Sequence, residues 1–279
     1  MRQAEKVDLG SDDWTMEIRP YASAFHFPIK ELWEYRDLLF LFVRRDFKTM
    51  YKQTILGPAW ILLSPLLTTG MFSLIFGRIA GISTDGTPAF LFYMAGNILW
   101  NYFSSCLSAA SSTFIGNAGL FGKVYFPRIV VPASSAVSKL ITFGAQFLLF
   151  LILLFCSLGS GQVRITWLCL MTPVLLVMLA LLAIGTGMIL ASLTAKYRDL
   201  QVLVGFGIQL WMYASPIVYP LSQIPGKWRI LLSLNPVAYI VECFRYGWLG
   251  SGIVSIPNLM IGLADPIAVV GQARDSAVD

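Results

Sequence analysis

The chain has 279 residues, of which 57% are hydrophobic and only 13% are charged. Soluble proteins average about 45–50% apolar and about 25% charged residues, so this composition excludes a soluble globular protein and indicates that lipid surrounds much of the chain. The net charge of +5 is small and is concentrated near the ends of apolar segments. It is therefore an orientation signal for a membrane protein and not a nucleic-acid-binding surface.

Residues 1–30 are polar and irregular, and we expect them to form a cytoplasmic N-terminal tail. They contain no apolar core, so no cleavable signal peptide is predicted.

Residues 31–53 are predicted to form an amphipathic helix on the membrane surface. On a helical wheel one face is apolar and the opposite face carries most of the charges, a pattern typical of an interfacial helix. The apolar face contains Leu32, Tyr35, Leu39, Phe42, Val43, Phe47 and Met50, and the charged face contains Glu34, Asp37, Arg44, Arg45, Lys48 and Lys52. Arg36, Leu41 and Asp46 break the pattern. A soluble helix packed on a domain is the alternative, but the chain has no other soluble domain to receive it.

Five long apolar segments follow, at residues 54–77, 89–113, 132–158, 165–193 and 201–221. Each is close to the roughly 20 residues that a helix needs to cross a bilayer. Pro65 is expected to kink the first segment. The loops after the second and fourth segments carry Lys123, Arg128, Lys196 and Arg198, on the same side as the cations of the surface helix. The positive-inside rule therefore predicts a cytoplasmic N-terminus.

The pattern changes after the fifth segment. Residues 222–245 hold short apolar pieces separated by prolines, which fits two short helices that dip into the outer leaflet and return better than it fits a span. Residues 251–270 form a marginal sixth span, because Pro257, Asp265 and Pro266 interrupt it. The organisation is thus a tail (1–30), an interface helix (31–53), a transmembrane domain (54–270) and a C-terminal tail (271–279).

No catalytic, cofactor-binding or metal site is predicted in this chain. Residues 116–124 have the wrong spacing for a phosphate loop, and Val124 occupies the place of its hydroxyl residue. His26 is the only histidine, and the four cysteines lack the paired spacing of a metal site. Among the few intramembrane charges, Glu242 and Arg245 can pair at i, i+3, which we interpret as a structural contact.

Aromatic residues on the first, second and fifth segments could stack on sugar rings. An interfacial aromatic belt is the alternative. The belt is favoured for Trp60 and Tyr219, whereas Trp100, Trp211 and Tyr213 fit either role.

Four motifs occur in an order that resembles the permease subunits of bacterial ABC-2-type polysaccharide exporters: RRDFKTMYKQTILGPAWILLSPLL, FGKVYFPRIVVP, KYRDL and LNPVAYIVECFRYGWLG. The resemblance covers roughly residues 30–250. It implies an all-α membrane protein of about six transmembrane helices with short re-entrant gate helices, multi-pass in the bacterial inner membrane. The C-terminus departs from the family, which usually ends with a robust sixth span and a charged tail.

The resemblance also implies partners and site residues. It implies a homodimer, a lipid-linked polysaccharide substrate, and a separate nucleotide-binding subunit that binds ATP and Mg. The residues implied to receive the push from that ATPase are Arg44, Arg45, Lys48, Lys123, Arg128, Tyr197, Arg198 and Asp199. The candidate channel residues are Trp60, Phe72, Trp211 and Tyr213.

Two other functions remain as alternatives. An ABC-2 permease could carry a drug or a small lipid, although the order of motifs and the gate-like segment favour polysaccharide. A membrane-embedded transferase acting on lipid-linked sugars would need acidic or histidine residues at a membrane face, and only Asp199 and Glu242 qualify.

Overall fold

A computed structural model describes residues 33–51, 57–123, 126–197, 199–225, 232 and 235–252. All regular secondary structure within these ranges is helical. The α-helices are α1 (Arg36–Tyr51), α2 (Ala59–Phe72), α3 (Ala89–Ser111), α4 (Thr113–Gly116), α5 (Ala118–Phe121), α6 (Val130–Ser157), α7 (Thr172–Lys196), α8 (Leu200–Tyr213) and α9 (Pro236–Leu249). A π-helix, Ser73–Ile79, continues α2, and 3-10 turns form at Leu158–Ser160, Trp167–Met171 and Leu221–Gln223. The tail 1–30 and the marginal sixth span 251–270 fall almost wholly outside the described residues.

Three continuous helical stretches are long and apolar enough to cross a bilayer: Ala59–Ile79, Val130–Ser157 and Trp167–Lys196. They coincide with the first, third and fourth predicted spans. A helix satisfies most of its backbone groups internally, as the bilayer interior requires, with an exception at Pro65.

The second predicted span, α3, is the central helix of the domain. It packs against α2, α6, α7, α8 and α9, and most of its residues are buried. Its sequence contains Asn97, Asn101 and several serines, which protein rather than lipid can accommodate. Helices α3 and α7 approach closely, since a Cβ at Gly187 would lie 2.4 Å from the Cβ of Ala110.

Helix α2 contains the predicted proline at its centre. Pro65 is buried and has no N–H, so the carbonyl of Ile61 lacks its usual helical donor. Gln146 of α6 donates to that carbonyl at 3.4 Å. Asn97 of α3 donates to the carbonyl of Pro65 at 3.5 Å and to the hydroxyl of Thr69 at 3.4 Å. Amides from two neighbouring helices therefore compensate for the break in the α2 hydrogen-bond ladder.

The helix in the fifth predicted span, 201–221, is shorter than the prediction. Helix α8 ends at Tyr213 and its 14 residues cover about 21 Å. The chain then turns at residues 214–217, of which Ala214 is exposed and Ser215, Pro216 and Ile217 are buried. Of the two predicted short helices at 222–245, the structure describes one 3-10 turn, Leu221–Gln223, and the helix α9.

Candidate functional site

The surface helix α1 is docked on the N-terminal part of α6, at one end of the predicted transmembrane domain. It packs along α6, and Phe42 joins Phe126, Val130 and Val131 in a small buried cluster that is separate from the main core. The apolar face of α1 is therefore divided. Phe42 and Val43 are buried against protein, whereas Trp33, Leu41 and Phe40 are more than 60% exposed and can enter the headgroup layer.

A row of phenylalanine rings leads from α1 into the domain. We call Phe42, Phe126, Phe121 and Phe114 the aromatic ladder. Successive ring centroids are 6.0, 5.3 and 6.0 Å apart, within the range of favourable aromatic contacts. Phe114 packs on the main core, and its helix α4 contacts α7. The ladder thus connects the surface helix with the transmembrane helices.

Two predicted coupling cations lie at the ends of the ladder. The guanidinium carbon of Arg45 is 4.9 Å from the centre of the Phe42 ring, and that of Arg128 is 5.7 Å from the Phe114 ring. These distances allow cation–π attraction. Arg45 also donates to Asp46 at 2.9 Å, which explains why an acidic residue occurs on this side of the helix.

Three more of the predicted coupling cations, Arg44, Lys48 and Lys123, are exposed. Arg44, Lys48 and Lys123 make no hydrogen bond or ion pair with the residues that the structure describes. They are accessible to lipid headgroups or to a partner protein.

The end of α7 reaches the same face. The Thr194 hydroxyl donates to the carbonyl of Ser111 at 2.9 Å, which fixes this end of α7 to the junction of α3 and α4. Tyr197 is 54% exposed. The Asp199 carboxylate accepts a hydrogen bond from the N–H of Leu200 at 3.1 Å, so it caps α8. Arg198 lies outside the described residues.

The structure therefore places at one end of the domain the described parts of three segments that the sequence indicated: the surface helix, residues 117–123 and 126–128, and the end of α7. Sequence reasoning missed the ladder itself, and it considered Phe42 only as part of an apolar face. The density of aromatic residues between Phe114 and Phe126 was the available signal.

The four candidate channel residues differ in how much of each ring is accessible. Trp60 and Tyr213 are 54% and 49% exposed in the isolated chain, so their faces are open. Phe72 is half-buried and packs on Phe76 at 5.7 Å. Trp211 is half-buried and meets the edge of Phe103 at 5.1 Å. Trp60 and Tyr213 are thus the more accessible of the four.

Trp100, which the sequence left between channel and belt, belongs to the core. It is 5% exposed and packs on Phe103 at 5.4 Å.

Polar side chains hold the C-terminal end of α8. Asn235, just before α9, accepts from the indole N–H of Trp211 at 3.2 Å and donates to the Ser215 hydroxyl at 2.8 Å. Arg245 donates to the carbonyls of Pro216 and Ile217 at 2.5 and 2.6 Å. The sequence did not reveal these contacts.

Glu242 and Arg245 form the predicted pair, with Arg245 Nη1 3.5 Å from Glu242 Oε1 and both side chains almost wholly buried. Among the described residues no group of three His, Cys, Asp or Glu side chains is arranged to hold a metal ion.

Comparison with known proteins identifies the family of this domain. Residues 37–249 match the ABC-2 type transporter family. The chain belongs to the ABC-2 type transporter family. The matched region begins within the first turn of α1 and ends at the last residue of α9. This ABC-2 chain is therefore a multi-pass membrane protein, and the resemblance seen in its motifs is confirmed.

Individual relatives of this ABC-2 chain are named as export permeases or as a transport protein. It is 31% identical to the O-antigen export system permease protein RfbA of Myxococcus xanthus over 78% of its own length and 82% of the relative's. It is 29% identical to a protein of the same name from Klebsiella pneumoniae, over 79% and 85% of the two lengths. It is 26% identical to the polysialic acid transport protein KpsM of Escherichia coli, over 82% and 90%.

Proposed function

We propose that this chain is the membrane subunit of an ABC exporter that moves a polysaccharide, of the O-antigen or capsule class and often lipid-linked, across the bacterial inner membrane. The observation that carries the proposal is the similarity, over most of both chains, to relatives named for O-antigen export and polysialic acid transport. Exposed aromatic rings at Trp60 and Tyr213 support a sugar cargo, since ring faces stack on sugars.

Energy enters from a separate ATP-binding subunit, which holds ATP and Mg, and which docks on the cytoplasmic face formed by α1, residues 117–128 and the end of α7. The exposed cations Arg44, Lys48 and Lys123 and the ring of Tyr197 support this docking surface. With that face in the cytoplasm, the N-terminus is cytoplasmic as well, in agreement with the distribution of Lys and Arg.

Two copies of the chain form the transport path. The apolar faces that α2 and α8 leave open support a second copy opposite them: Leu67 and Met71 of α2 are more than 50% exposed, as are Leu203 and Phe206 of α8.

Loss of the chain from its host tests the cargo. We expect surface polysaccharide to disappear and its lipid-linked form to accumulate inside the cell, as measured by immunoblotting of intact and lysed cells. Unchanged surface polysaccharide together with altered resistance to drugs would favour the small-molecule cargo and contradict the proposal.

Charge reversal tests the docking surface. Arg44→Glu with Arg45→Glu is expected to abolish export without affecting insertion. Arg44→Glu with Lys48→Glu is the sharper pair, because Arg45 also bonds Asp46 whereas Arg44 and Lys48 touch no described protein partner by hydrogen bond or ion pair.

The matched control reverses Arg78 and Arg164, two exposed cations. They follow the first and third apolar segments, so the alternation of spans predicts them on the opposite side of the membrane. A reporter fused to the chain checks that orientation is unchanged. Normal export by the Arg44→Glu, Lys48→Glu variant would show that this face does not couple the chain to the ATP-binding subunit.

A further inference from the structure

The two ends of α8 are held very differently. No residue between Leu200 and Tyr213 is buried, and Val202 near the cytoplasmic end is 77% exposed. Directly after the helix, Ser215 and Ile217 are completely buried. Packing therefore fixes the outer end of α8 and leaves its inner part open on one side.

Asn235 forms the first clamp on this outer end. Its side-chain oxygen accepts from Trp211 Nε1 at 3.2 Å and from the N–H of Val237 at 3.1 Å. Its side-chain nitrogen donates to the carbonyl of Ala214 at 3.2 Å and to the hydroxyl of Ser215 at 2.8 Å. One amide thus caps the start of α9 and at the same time binds the last turn of α8.

Arg245 forms the second clamp. Its two terminal nitrogens donate to the carbonyls of Pro216 and Ile217, and its guanidinium carbon lies 3.7 Å from the centre of the Phe92 ring. The site needs a glycine on α3, because a Cβ at Gly96 would lie 2.6 Å from Arg245 Nη2. Charge-assisted hydrogen bonds in such a buried setting are strong and geometrically specific.

Helix α9, which carries both clamps, is itself fixed. Most of its residues are buried. The loop before α7 binds its C-terminal end through Thr166 N–H to the carbonyl of Gly247 at 2.8 Å, and Trp248 Nε1 donates to the hydroxyl of Thr172 at 2.9 Å. The clamps therefore attach the outer end of α8 to a helix that cannot move independently of the core.

We propose that the turn 214–217 is a fixed pivot for α8, and that Asn235 and Arg245 are the positioning residues that hold it. The inference rests on the proposed function, in which the movement of the ATP-binding subunit is transmitted to α8 at its Asp199 end. A tilt of about 10° about the pivot would carry the inner end of a helix about 21 Å long through about 4 Å. The segment that resembles a gate helix, α9, is then the anchor, and α8 is the moving part.

Spin-label distances test the pivot in the complete complex with the ATP-binding subunit in lipid nanodiscs. The background replaces Cys106, Cys156, Cys169 and Cys243 and must retain export. One labelled pair, Val202 with Ser108 of α3, reports on the inner end, and a second pair, Ala214 with Gln162, reports on the outer end; all four positions are exposed. Labelled chains are diluted with unlabelled ones so that only distances within a chain are measured.

On trapping the complex with ATP and vanadate, we expect the distance of the inner pair to change and that of the outer pair to remain the same. A change in the outer pair as large as that in the inner pair would overturn the pivot. If the distance of the inner pair does not change in a complex that hydrolyses ATP and exports polysaccharide, the pivot is overturned as well. A chain that binds no ATP-binding subunit would instead refute the proposed function, and the pivot with it.

A variant then tests the clamp. Asn235→Leu keeps the size of the side chain and removes its four hydrogen bonds. In this variant we expect the distance of the outer pair to change on trapping with ATP and vanadate, which it does not do in the parent protein. We also expect export to fall. The matched control is Gln223→Leu, which removes an exposed amide from the same outer segment. The Gln223 side chain makes no hydrogen bond to the described residues. This variant should behave like the parent protein.

Identical behaviour of Asn235→Leu and Gln223→Leu would refute the positioning role. Arg245 is not the first choice for substitution, because its loss would leave the Glu242 carboxylate buried beside no guanidinium and could prevent folding. If Asn235→Leu fails to insert, Ser215→Ala removes a single hydroxyl of the same clamp, and the same change in the outer pair is expected.

Discussion

Replacing Phe42 by alanine tests how the surface helix is fastened to the transmembrane domain. The Phe42 side chain is 4% exposed, and its ring lies 6.0 Å from that of Phe126 and 4.9 Å from the guanidinium carbon of Arg45. Truncating a buried phenylalanine to alanine costs about 3 kcal/mol or more. The ratio of docked to undocked α1 should therefore fall about a hundredfold.

The docked state of α1 can be measured by hydrogen exchange of its backbone amides in nanodiscs. Amides of Arg36–Tyr51 should exchange much faster in the variant, because local opening governs their exchange. The thermal midpoint of the transmembrane domain should change little, since Phe42 belongs to a cluster separate from the main core. Export should fall while the amount of inserted protein stays the same.

Phe40→Ala is the matched control for this experiment. Phe40 lies on the same helix and is 70% exposed, so its removal leaves the packed face intact. Equal exchange of α1 in the two variants, or no faster exchange in Phe42→Ala than in the parent, would refute docking through the aromatic ladder.

Three further substitutions test the packing of the transmembrane helices, each by the thermal midpoint of the purified protein. Gly187→Val should lower the midpoint, because its Cβ would meet that of Ala110 at 2.4 Å and overpacking costs about 1–3 kcal/mol; an unchanged midpoint would show that α3 and α7 are not in close contact. Gly144→Ala adds a methyl group within a helix, with no neighbouring atom within 4 Å. It should increase the free energy of unfolding by up to about 1 kcal/mol and so keep or raise the midpoint. A lower midpoint would contradict the open space at this position. Gln146→Leu should cost about 1 kcal/mol through the lost bond to the Ile61 carbonyl; no effect would mean that this carbonyl needs no partner from α6.

The membrane-crossing helices could be predicted from the sequence because their determinants are local. A crossing helix needs about 20 apolar residues and satisfies its own backbone. The stretches Ala59–Ile79, Val130–Ser157 and Trp167–Lys196 follow this rule. The central helix α3 was predicted as a span but is not among these three stretches, and its buried Asn97 and Ser111 fit a helix surrounded by protein.

The end of α8 could not be predicted in the same way. The residues after Tyr213 are as apolar as those before it, so hydropathy extended the helix to residue 221. The chain turns earlier because Asn235 and Arg245, distant in sequence, bind the carbonyls that the turn exposes. Only the tertiary structure reveals where a backbone carbonyl finds such a partner.

The candidate coupling face was predictable in its charges but not in its contacts. The positive-inside rule placed Arg45 and Arg128 on one side of the membrane. Their cation–π contacts depend on the packing of Phe42 and Phe114, which no sequence spacing specifies. The Glu242–Arg245 pair, in contrast, was predicted correctly because i, i+3 neighbours meet on any helix.

The central claim is that a separate ATPase drives a polysaccharide through this chain. The most direct measurement is translocation of a lipid-linked polysaccharide in proteoliposomes that contain the chain with its ATP-binding subunit. We expect translocation only with both proteins and ATP, and its loss in the Arg44→Glu, Lys48→Glu variant. Translocation without the ATP-binding subunit, or ATP hydrolysis in the complete system with no movement of the glycan, would contradict the account.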